Sequence, residues 1–553
     1  MPAKNSNDSY IGVNEYHKQT KHSLEKYAAG PGTLDWSMQP NAFRSYDGCR
    51  HLELPVNADK LATSYAALYV EEKITSQEIS LANIGSLFEL SLGLSSWKQY
   101  GPDKWALRCN PSSGNLHPTE GYLINWDNTI LDSGIYHYRS DMHLLEQRCD
   151  ISAEQRKLLS AQTQQQTGFL IGLSSIHWRE AWKYGERAYR YCQLDVGHAI
   201  AAISYAAATL GWSVMHLDNF SDKEIESLLG LNHKESFKNA ETEHPDAILY
   251  ISNTHIEVES VITSLAKQLC DVIDETKWKG QANTLDHHHM HQWPIIDQVA
   301  VTTRKPETFK LTTPYPADIT PILENEEHKS IQASNLIRQR RSAQVFDNSC
   351  KLDLKTFYYI LDKLLARNIT PWNSINLPVH THLIFYIHRV EGLKPGLYAL
   401  PRHVHAKTML QSNMRTEFKW LEVDDCPQHI PLYELVTANS QNAARKLSCH
   451  QDIAADSAFC VSMLTEYKTA LQQGDWHYRY LHWEAGVLGH VMYLEAEAAN
   501  SRGTGIGCFF DDSVHQILGI ESDELQVVYH FTVGTPIVDQ RIISLPPYRH
   551  LKR

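Results

Sequence analysis

Lys183 and Tyr184 put an amine and a phenol side by side just upstream of Tyr189-Arg190-Tyr191. A lysine made less basic by desolvation or a cationic neighbour takes up a proton, and an adjacent tyrosine donates or relays one. The same pair would serve equally as a salt-bridging cation and an interfacial ring. Pro111-Ser112-Ser113-Gly114-Asn115 can bring backbone and side-chain polar groups close to a flat heterocycle, although common turns share its composition. Arg340-Arg341-Ser342, with Phe346 downstream, offers a bidentate phosphate contact and a hydroxyl beside it, or simply a solvated basic surface. Gly505-Ile506-Gly507 could turn backbone N–H groups toward a ring nitrogen; it lacks G-x-G-x-x-G and a preceding strand, so a Rossmann dinucleotide site is not supported. Arg541, beyond Val533-Gly534-Thr535-Pro536, is read as a second phosphate-reaching cation or a solvated terminal arginine.

These groups are divided between two related halves. Residues 188–198 read AYRYCQLDVGH and 477–487 read HYRYLHWEAGV, each with Tyr-Arg-Tyr followed four residues on by an acid and then x-Gly. Gly134-Ile135-Tyr136 and Gly396-Leu397-Tyr398 recur in the same order. Only the first half carries the Pro-Ser-Ser-Gly-Asn segment and only the second carries Arg-Arg-Ser, which implies one composite site between them. A chain of 553 residues exceeds what one core usually organises. The expected division is 1–255, a polar linker over 256–330, and 331–553.

Ile79, Leu81, Ile84, Leu87, Phe88 and Leu92 recur at helical spacing, as do Leu354, Phe357, Ile360, Leu361 and Leu364, so matching helices are predicted to open the two domains. Strands are predicted at Tyr122–Trp126, Ala247–Ile251, His382–His388 and Val527–Val533. Apolar stripes from Tyr189 to Leu210 and from Trp483 to Ala498 predict long helices that pack together about a pseudo-twofold axis. The polar start through Pro55 is expected to run over the surface as coil.

A net charge of -13 with dispersed Lys and Arg offers no footprint for a phosphate backbone and argues against nucleic acid. Ten scattered cysteines without C-x-x-C fit a reducing compartment. MPAKNSNDSY does not read as a signal peptide and no apolar run is long enough to span a bilayer, so a cytoplasmic protein without membrane association is expected. The linker holds TLDHHHMHQW; adjacent imidazoles in coil lack the fixed spacing of a metal site, so no metal is expected at the His287–His291 cluster.

Together, YHKQTKHSLEKYAAGPGTLDW, NPSSGNLHPTE, KYGERAYRYCQLDVGH and TVGTPIVDQRIISLPPY resemble the nitroreductase-like flavoprotein superfamily, in particular a tandem-domain form of the SagB-type (thiazoline/oxazoline) dehydrogenases. The resemblance implies an α+β fold: two fused nitroreductase-like domains, each a central, mostly antiparallel sheet flanked by helices, forming an intramolecular pseudo-dimer able to work as a monomer. It implies FMN. Arg340, Ser342 and Arg541 would hold the phosphate and ribityl end, with Gln344 where the family often has a cation. Pro111, Ser112, Ser113, Gly114 and Asn115 would face the ring, and the Gly505, Ile506 and Gly507 backbone would approach N5. Lys183 and Tyr184 match a pair implicated in removing the α-proton of an azoline ring as hydride passes to N5, with oxygen reoxidising the flavin. The mirror-related site carries Lys21-His22-Ser23 and lacks the Pro-Ser-Ser-Gly loop, so one FMN per chain is expected. The implied substrate is a peptide-derived or small heterocyclic intermediate of natural-product biosynthesis. The alternatives are an NAD(P)H-dependent nitro or quinone reductase and a non-catalytic flavin-binding scaffold.

Overall fold

The computed structural model describes residues 11–70, 74–127, 129–159, 167–254, 259–273, 277–307, 322–375 and 377–551. Its frame is a pair of seven-stranded, wholly antiparallel sheets with equivalent orders over six strands; the remaining edge strand comes from the start of the first half but from between two strands of the second. The first runs Arg50–Glu53, Leu144–Asp150, Gly134–Arg139, Thr119–Asn125, Phe169–Ser175, His244–Ser252, Ser213–His216. The second runs Leu421–Glu422, Tyr433–Thr437, Gly396–Leu400, Thr381–Ile387, Phe459–Thr465, Gln526–Gly534, Arg502–Ile506. Period-two alternation sorts the side chains. In Thr381–Ile387, Leu383, Phe385 and Ile387 enter a core continuous between the halves, whereas Ile384 and Tyr386 enter an outer layer. In His244–Ser252, Ala247, Leu249 and Ile251 face the shared core, and Ile248 and Tyr250 face outward against Ile225, Leu228 and Ile262. Both domains are therefore α+β, and the predicted helices are present at Leu81–Leu90 and Leu354–Lys363, the first preceded by helix Val13–Gln19 and by strand Arg50–Glu53 of the first sheet.

The shared core is built on two 22-residue helices, Ala188–Thr209 and His477–Ala498, which contain the two copies of the sequence repeat. They cross at its glycines. A Cβ on Gly197 would stand 2.2 Å from the Trp483 carbonyl oxygen, and one on Gly486 would stand 2.3 Å from that of Leu194. Trp483 and Leu194 hold equivalent places in the repeat, so the contact is reciprocal. The repeated arginines are reciprocal too: Arg190 reaches Asp511 (2.8 Å), which opens helix Asp511–Leu518 of the second half, and Arg479 reaches Asp222 (2.8 Å), which opens Asp222–Leu229 of the first. All four groups are buried. Trp483 Nε1 donates to Gln193 across the seam (2.7 Å), and Tyr65 and Tyr69 of the first half both donate to Glu495 of the second.

Two expectations need correction. The polar start is not surface coil: Val13–Gln19 is helical, and Tyr16 lies edge-on to Tyr189 and Tyr478, the paired repeat tyrosines, while His17 contacts the Tyr478 hydroxyl and Gln526. The 256–330 linker is largely structured where it is described. Helix Glu259–Ile273 buries Ile262, Leu265, Leu269 and Ile273, and helix Pro294–Thr302 packs Ile295, Ile296 and Val299 on Tyr16, Tyr189 and Tyr478. Beyond the last long strand the chain crosses back, and Ile543–Leu545 pairs with Leu94–Tyr100 of the first half. Tyr548 OH accepts the Leu94 N–H (2.8 Å) and Trp97 Nε1 donates to the Pro547 carbonyl (2.8 Å).

On an exposed helix Gly→Ala gains about 1 kcal/mol of propensity. At the crossing that gain is outweighed, because backbone cannot yield as a side chain does and overpacking costs about 1–3 kcal/mol or more. Gly486→Ala is therefore expected to lower stability by about 2 kcal/mol in denaturant unfolding; a neutral or stabilising change would contradict the backbone contact.

Candidate active site

On one side of the crossing the seam opens into a cavity of about 550 Å³, within the range of small-molecule sites. Its first-half wall is Asn110 through Asn115 with Tyr184, Tyr191, Asp195 and His198; its second-half wall is Arg340, Arg341, Ser342, Gln344, Tyr493 and Arg502 through Cys508 except Gly503. Pro111, Ser112, Ser113, Gly114, Asn115, Tyr184, Arg340, Ser342, Gln344, Gly505, Ile506 and Gly507 thus meet in one place.

The Pro-Ser-Ser-Gly loop is tied to the central helix by Asp195, the acid of the first repeat. Its carboxyl accepts the Ser113 N–H and hydroxyl, both at 3.0 Å. Ser112 Oγ accepts the His117 N–H (2.8 Å), and Asn115 donates to the Ala106 carbonyl (2.9 Å). Gly114, at φ +59°, supplies a left-handed turn and close approach. A Cβ there would lie 2.5 Å from the Tyr184 hydroxyl and 3.0 Å from Lys183 Nζ. Lys183 does not itself line the cavity, yet its amine and the Tyr184 phenol converge on that loop from helix His177–Tyr184. Burial lowers the Lys183 pKa, against the opposing pull of Glu180. Burial, then Glu180, raises that of Tyr184 well above the phenol range, keeping it a proton donor.

The opposite end is cationic. Arg340 is buried, stacks its guanidinium 4.9 Å over Tyr493, donates to the Arg108 carbonyl (3.3 Å) and leaves Nε without a protein partner. Burial, followed by Arg340, pulls Arg341 down to about 10. Burial also lowers Lys98, helped by Arg341 and Arg502. Asn110, 1% exposed, has both side-chain polar atoms unpartnered. Crowded cations and orphaned donors fit a phosphate and a polyol better than any apolar ligand.

Two of the expected cofactor-binding groups have protein partners of their own. Arg541 is 72% exposed at its side chain, paired with Asp539 (2.7 Å) and lying 5.5 Å over the Tyr100 ring, outside the cavity lining. Asp539, only two residues away, captures the guanidinium locally. The Gly505 N–H donates to the Tyr493 hydroxyl (2.9 Å), which Ser342 Oγ also contacts (2.9 Å). Arg502–Ile506 is moreover an edge strand, and Gly505 and Gly507 leave room for Tyr529 and Tyr191. Asn110, Asp195, Arg108, Lys98 and Arg502 carry no role in the sequence reading.

At the mirror-related position the repeat side chains are engaged by protein partners. Tyr480, the repeat counterpart of Tyr191, donates to Asp218 (2.6 Å) and accepts from Lys305 (3.0 Å), which is itself paired with Asp218. Glu484, counterpart of Asp195, holds Thr381 (2.7 Å) and Arg402. Lys21-His22-Ser23, expected at the mirror-related site, lies instead beside the segment that follows Gly507: the His22 N–H donates to Asp511 (3.0 Å), Lys21 pairs with Asp512 (2.7 Å) and Ser23 bonds the Lys26 carbonyl (3.2 Å).

His289 pairs with Glu241 (3.1 Å) and lies against Trp178. Among the described residues one group has metal-ligand geometry, His382, His403 and Glu466. The Arg402 and His405 N–H groups donate to Nδ1 of the two rings (both 3.2 Å), which puts each proton on Nε2, facing Glu466. This is a hydrogen-bonded cluster satisfied without a cation, and none of it lines the cavity.

Burial pushes Asp195 up to about 7 from 3.8, and Asp246 likewise to about 7. Between those pH values the folded chain holds protons that the unfolded chain has lost, so the stability from each neutral carboxyl is full near pH 4, is lost as pH rises toward 7, and changes no further above it. Asp195→Asn should make the fall from pH 5 to 7 shallower by about 1.4 kcal/mol per pH unit. An unchanged slope in urea unfolding would mean that Asp195 is ionised in the fold.

A family model described as the nitroreductase family matches residues 75–238 and 337–535, more than half of the chain and both halves of the repeat. A Methanocaldococcus jannaschii protein designated a nitroreductase is 25% identical over 130 residues, 23% of this chain and 66% of that protein, so the match spans just under two thirds of that relative. A crystal structure of an Anabaena variabilis protein, also designated a nitroreductase, superposes with a TM-score of 0.67 at 21% identity, covering 95% of this chain and 99% of that one, a likeness that speaks to fold alone. The protein belongs to the nitroreductase family, flavin-binding oxidoreductases, and joins two domains of that family in one chain.

Proposed function

We propose that the protein is an FMN-dependent dehydrogenase of a peptide-derived or small heterocyclic, azoline-type intermediate. The observation that carries this reading is the convergence of Lys183 Nζ and the Tyr184 hydroxyl on Gly114, at the wall of a cavity whose far end is cationic. Arg340, Arg341 and Arg502 would hold the phosphate of FMN, Ser342 and Gln344 its ribityl chain, and Asn110 through Asn115 its ring. Bound there, FMN supplies a two-electron hydride acceptor. Lys183, made less basic by burial, would take the substrate α-proton at Nζ; Tyr184, held protonated, would orient the substrate by donating a hydrogen bond. Asp195 fixes the loop on which both act. The engagement of Tyr480 and Glu484 by protein partners at the mirror position supports one FMN per chain, and the intramolecular seam supports function as a monomer; O2 would be the final acceptor.

The family description and the relatives' designations favour a second reading, reduction of nitro or quinone acceptors with NAD(P)H. Anaerobic mixing separates the two. Bleaching of bound flavin by an azoline peptide and not by NADPH supports the dehydrogenase; bleaching by NADPH alone supports the reductase.

Lys183→Ala is expected to keep its bound flavin and lose substrate-dependent bleaching by about 10²–10⁴-fold, the usual share of a general base. Full activity would remove Lys183 from the reaction. Arg340→Ala should bind FMN about 10- to 100-fold more weakly, as a lost charge-assisted contact costs about 1.5–3 kcal/mol. Unchanged FMN affinity by equilibrium dialysis would take Arg340 out of the phosphate site.

A further inference from the structure

The segment ending Leu34-Asp35-Trp36 carries no chemical role above, yet it runs beside Lys183. Residues 29–41 form a strap bonded at both ends to helix His177–Tyr184 and the turn after it. At one end the Glu186 N–H donates to the Ala29 carbonyl (3.0 Å); Gly185, at φ +57°, permits that approach, since a Cβ there would stand 2.2 Å from the same oxygen. At the other, Arg179 Nε donates to the Asn41 carbonyl (3.1 Å). Between these ties lies a single 3-10 turn, Trp36–Met38, opened by Asp35, whose carboxylate accepts the Ser37 N–H (3.0 Å) and hydroxyl (2.6 Å). The turn presents Trp36, 59% exposed, edge to face with the buried Trp182 at 5.5 Å. An indole left that open gives up much of the burial that usually holds the residue in place.

What the indole meets is the amine. Lys183 Nζ stands 5.1 Å over the Trp36 ring and 5.2 Å over the Tyr184 ring, within cation–π range of both. The second ring is itself braced, edge to face with Tyr191 at 4.6 Å. Neither carboxyl oxygen of Glu180, one turn back on the same helix, bonds the amine. The other ionisable groups around the pair are Tyr191, Asp195 behind Gly114, Cys508 across the cavity wall and Asp35 on the strap; Ser113 engages Asp195 and Ser37 engages Asp35. Lys183 therefore has ring faces where a carboxylate would otherwise stand. For a base the difference matters. A bonded carboxylate would hold the lysine as ammonium before substrate arrives, whereas ring faces attract the charge weakly enough to leave the amine free to accept a proton.

We propose that Trp36 is a positioning residue for Lys183: its indole and the Tyr184 ring form a cradle that receives the ammonium as it forms and aims Nζ at the Gly114 loop. The inference rests on the reading of Lys183 as the base. The nitrogen lone pair takes the substrate α-proton, the hydride goes to the bound flavin as that reading requires, and the positive charge gained by the side chain lies between two ring faces. Because the strap is tied near both ends of the helix that carries Lys183, Trp36 keeps its place over the amine although solvent reaches it.

Trace acetylation of the whole purified protein with acetic anhydride, from about pH 7 to 11 and quantified by peptide mass spectrometry, measures where Lys183 loses its proton. It needs neither substrate nor flavin reduction. Loss of one cation–π contact in Trp36→Leu should lower that midpoint by about half a pH unit, and Trp36→Phe, which keeps a ring face, should recover most of the shift. The acid limb of substrate-dependent flavin bleaching should move down by the same half unit in Trp36→Leu, and its alkaline plateau should fall about twofold, as a weaker base predicts. An unmoved Lys183 midpoint in Trp36→Leu, or an equal displacement in Trp36→Phe, overturns the proposal. A midpoint that moves in protein bleached by NADPH alone would retain the cradle and refute only the azoline reading.

Discussion

Two helix backbones touch where Gly197 and Gly486 lack side chains, and the arrangement of both halves follows from that contact. With carbonyl oxygens standing 2.2 and 2.3 Å from where each Cβ would be, neither helix can shift or acquire a methyl without opening the seam. The close approach brings Arg190 within reach of Asp511 and Arg479 within reach of Asp222, buried pairs that would each leave an uncompensated charge if one partner were lost. The Val13–Gln19 helix then crosses both central helices, and the C-terminal strand crosses the other way to the first half. Two domains of one family are thereby held as a single body with one continuous core.

Near-symmetry at the crossing makes the asymmetry beside it informative. On one side Asp195 binds Ser113, Gly114 leaves room for Lys183 and Tyr184, and three guanidiniums, of which Arg502 pairs with Glu497 (3.8 Å), face a cavity. On the other the same repeat positions are spent on structure, Glu484 on Thr381 and Arg402, Tyr480 on Asp218 and Lys305. A buried cation without a partner anion destabilises the fold unless a ligand compensates it. The proposed FMN phosphate answers that need on the open side; Asp218 has already answered it on the other.

The repeat was legible as a pattern, but its reasons were not. Tyr-Arg-Tyr with an acid and glycine announces duplication, while the partner of Arg190 lies 321 residues away and the purpose of the glycine exists only once a second helix is in place. Long helices and central strands could be read because their periods are local, and the Pro-Ser-Ser-Gly and Arg-Arg-Ser strings because their residues are adjacent. Arg502, Lys98 and Arg108 could not: single basic residues in or beside strands carry no local mark of the cavity they share. Arg541 stands outside the cavity, paired with Asp539 two residues upstream, a short-range competitor visible in the sequence. The packed linker helix was also readable, since Ile262, Leu265, Ala266, Leu269 and Ile273 follow helical spacing; the prolines and histidines beyond them hid it. The arm carries the same signal in Val13, Tyr16 and Thr20.

The central claim is that two unequal halves make one flavin site. A visible spectrum of the purified protein, followed by denaturation and quantification of the released flavin against polypeptide, tests it directly. The account predicts one FMN per chain after saturation. Two per chain, or protein that stays colourless when saturated with FMN, would contradict it.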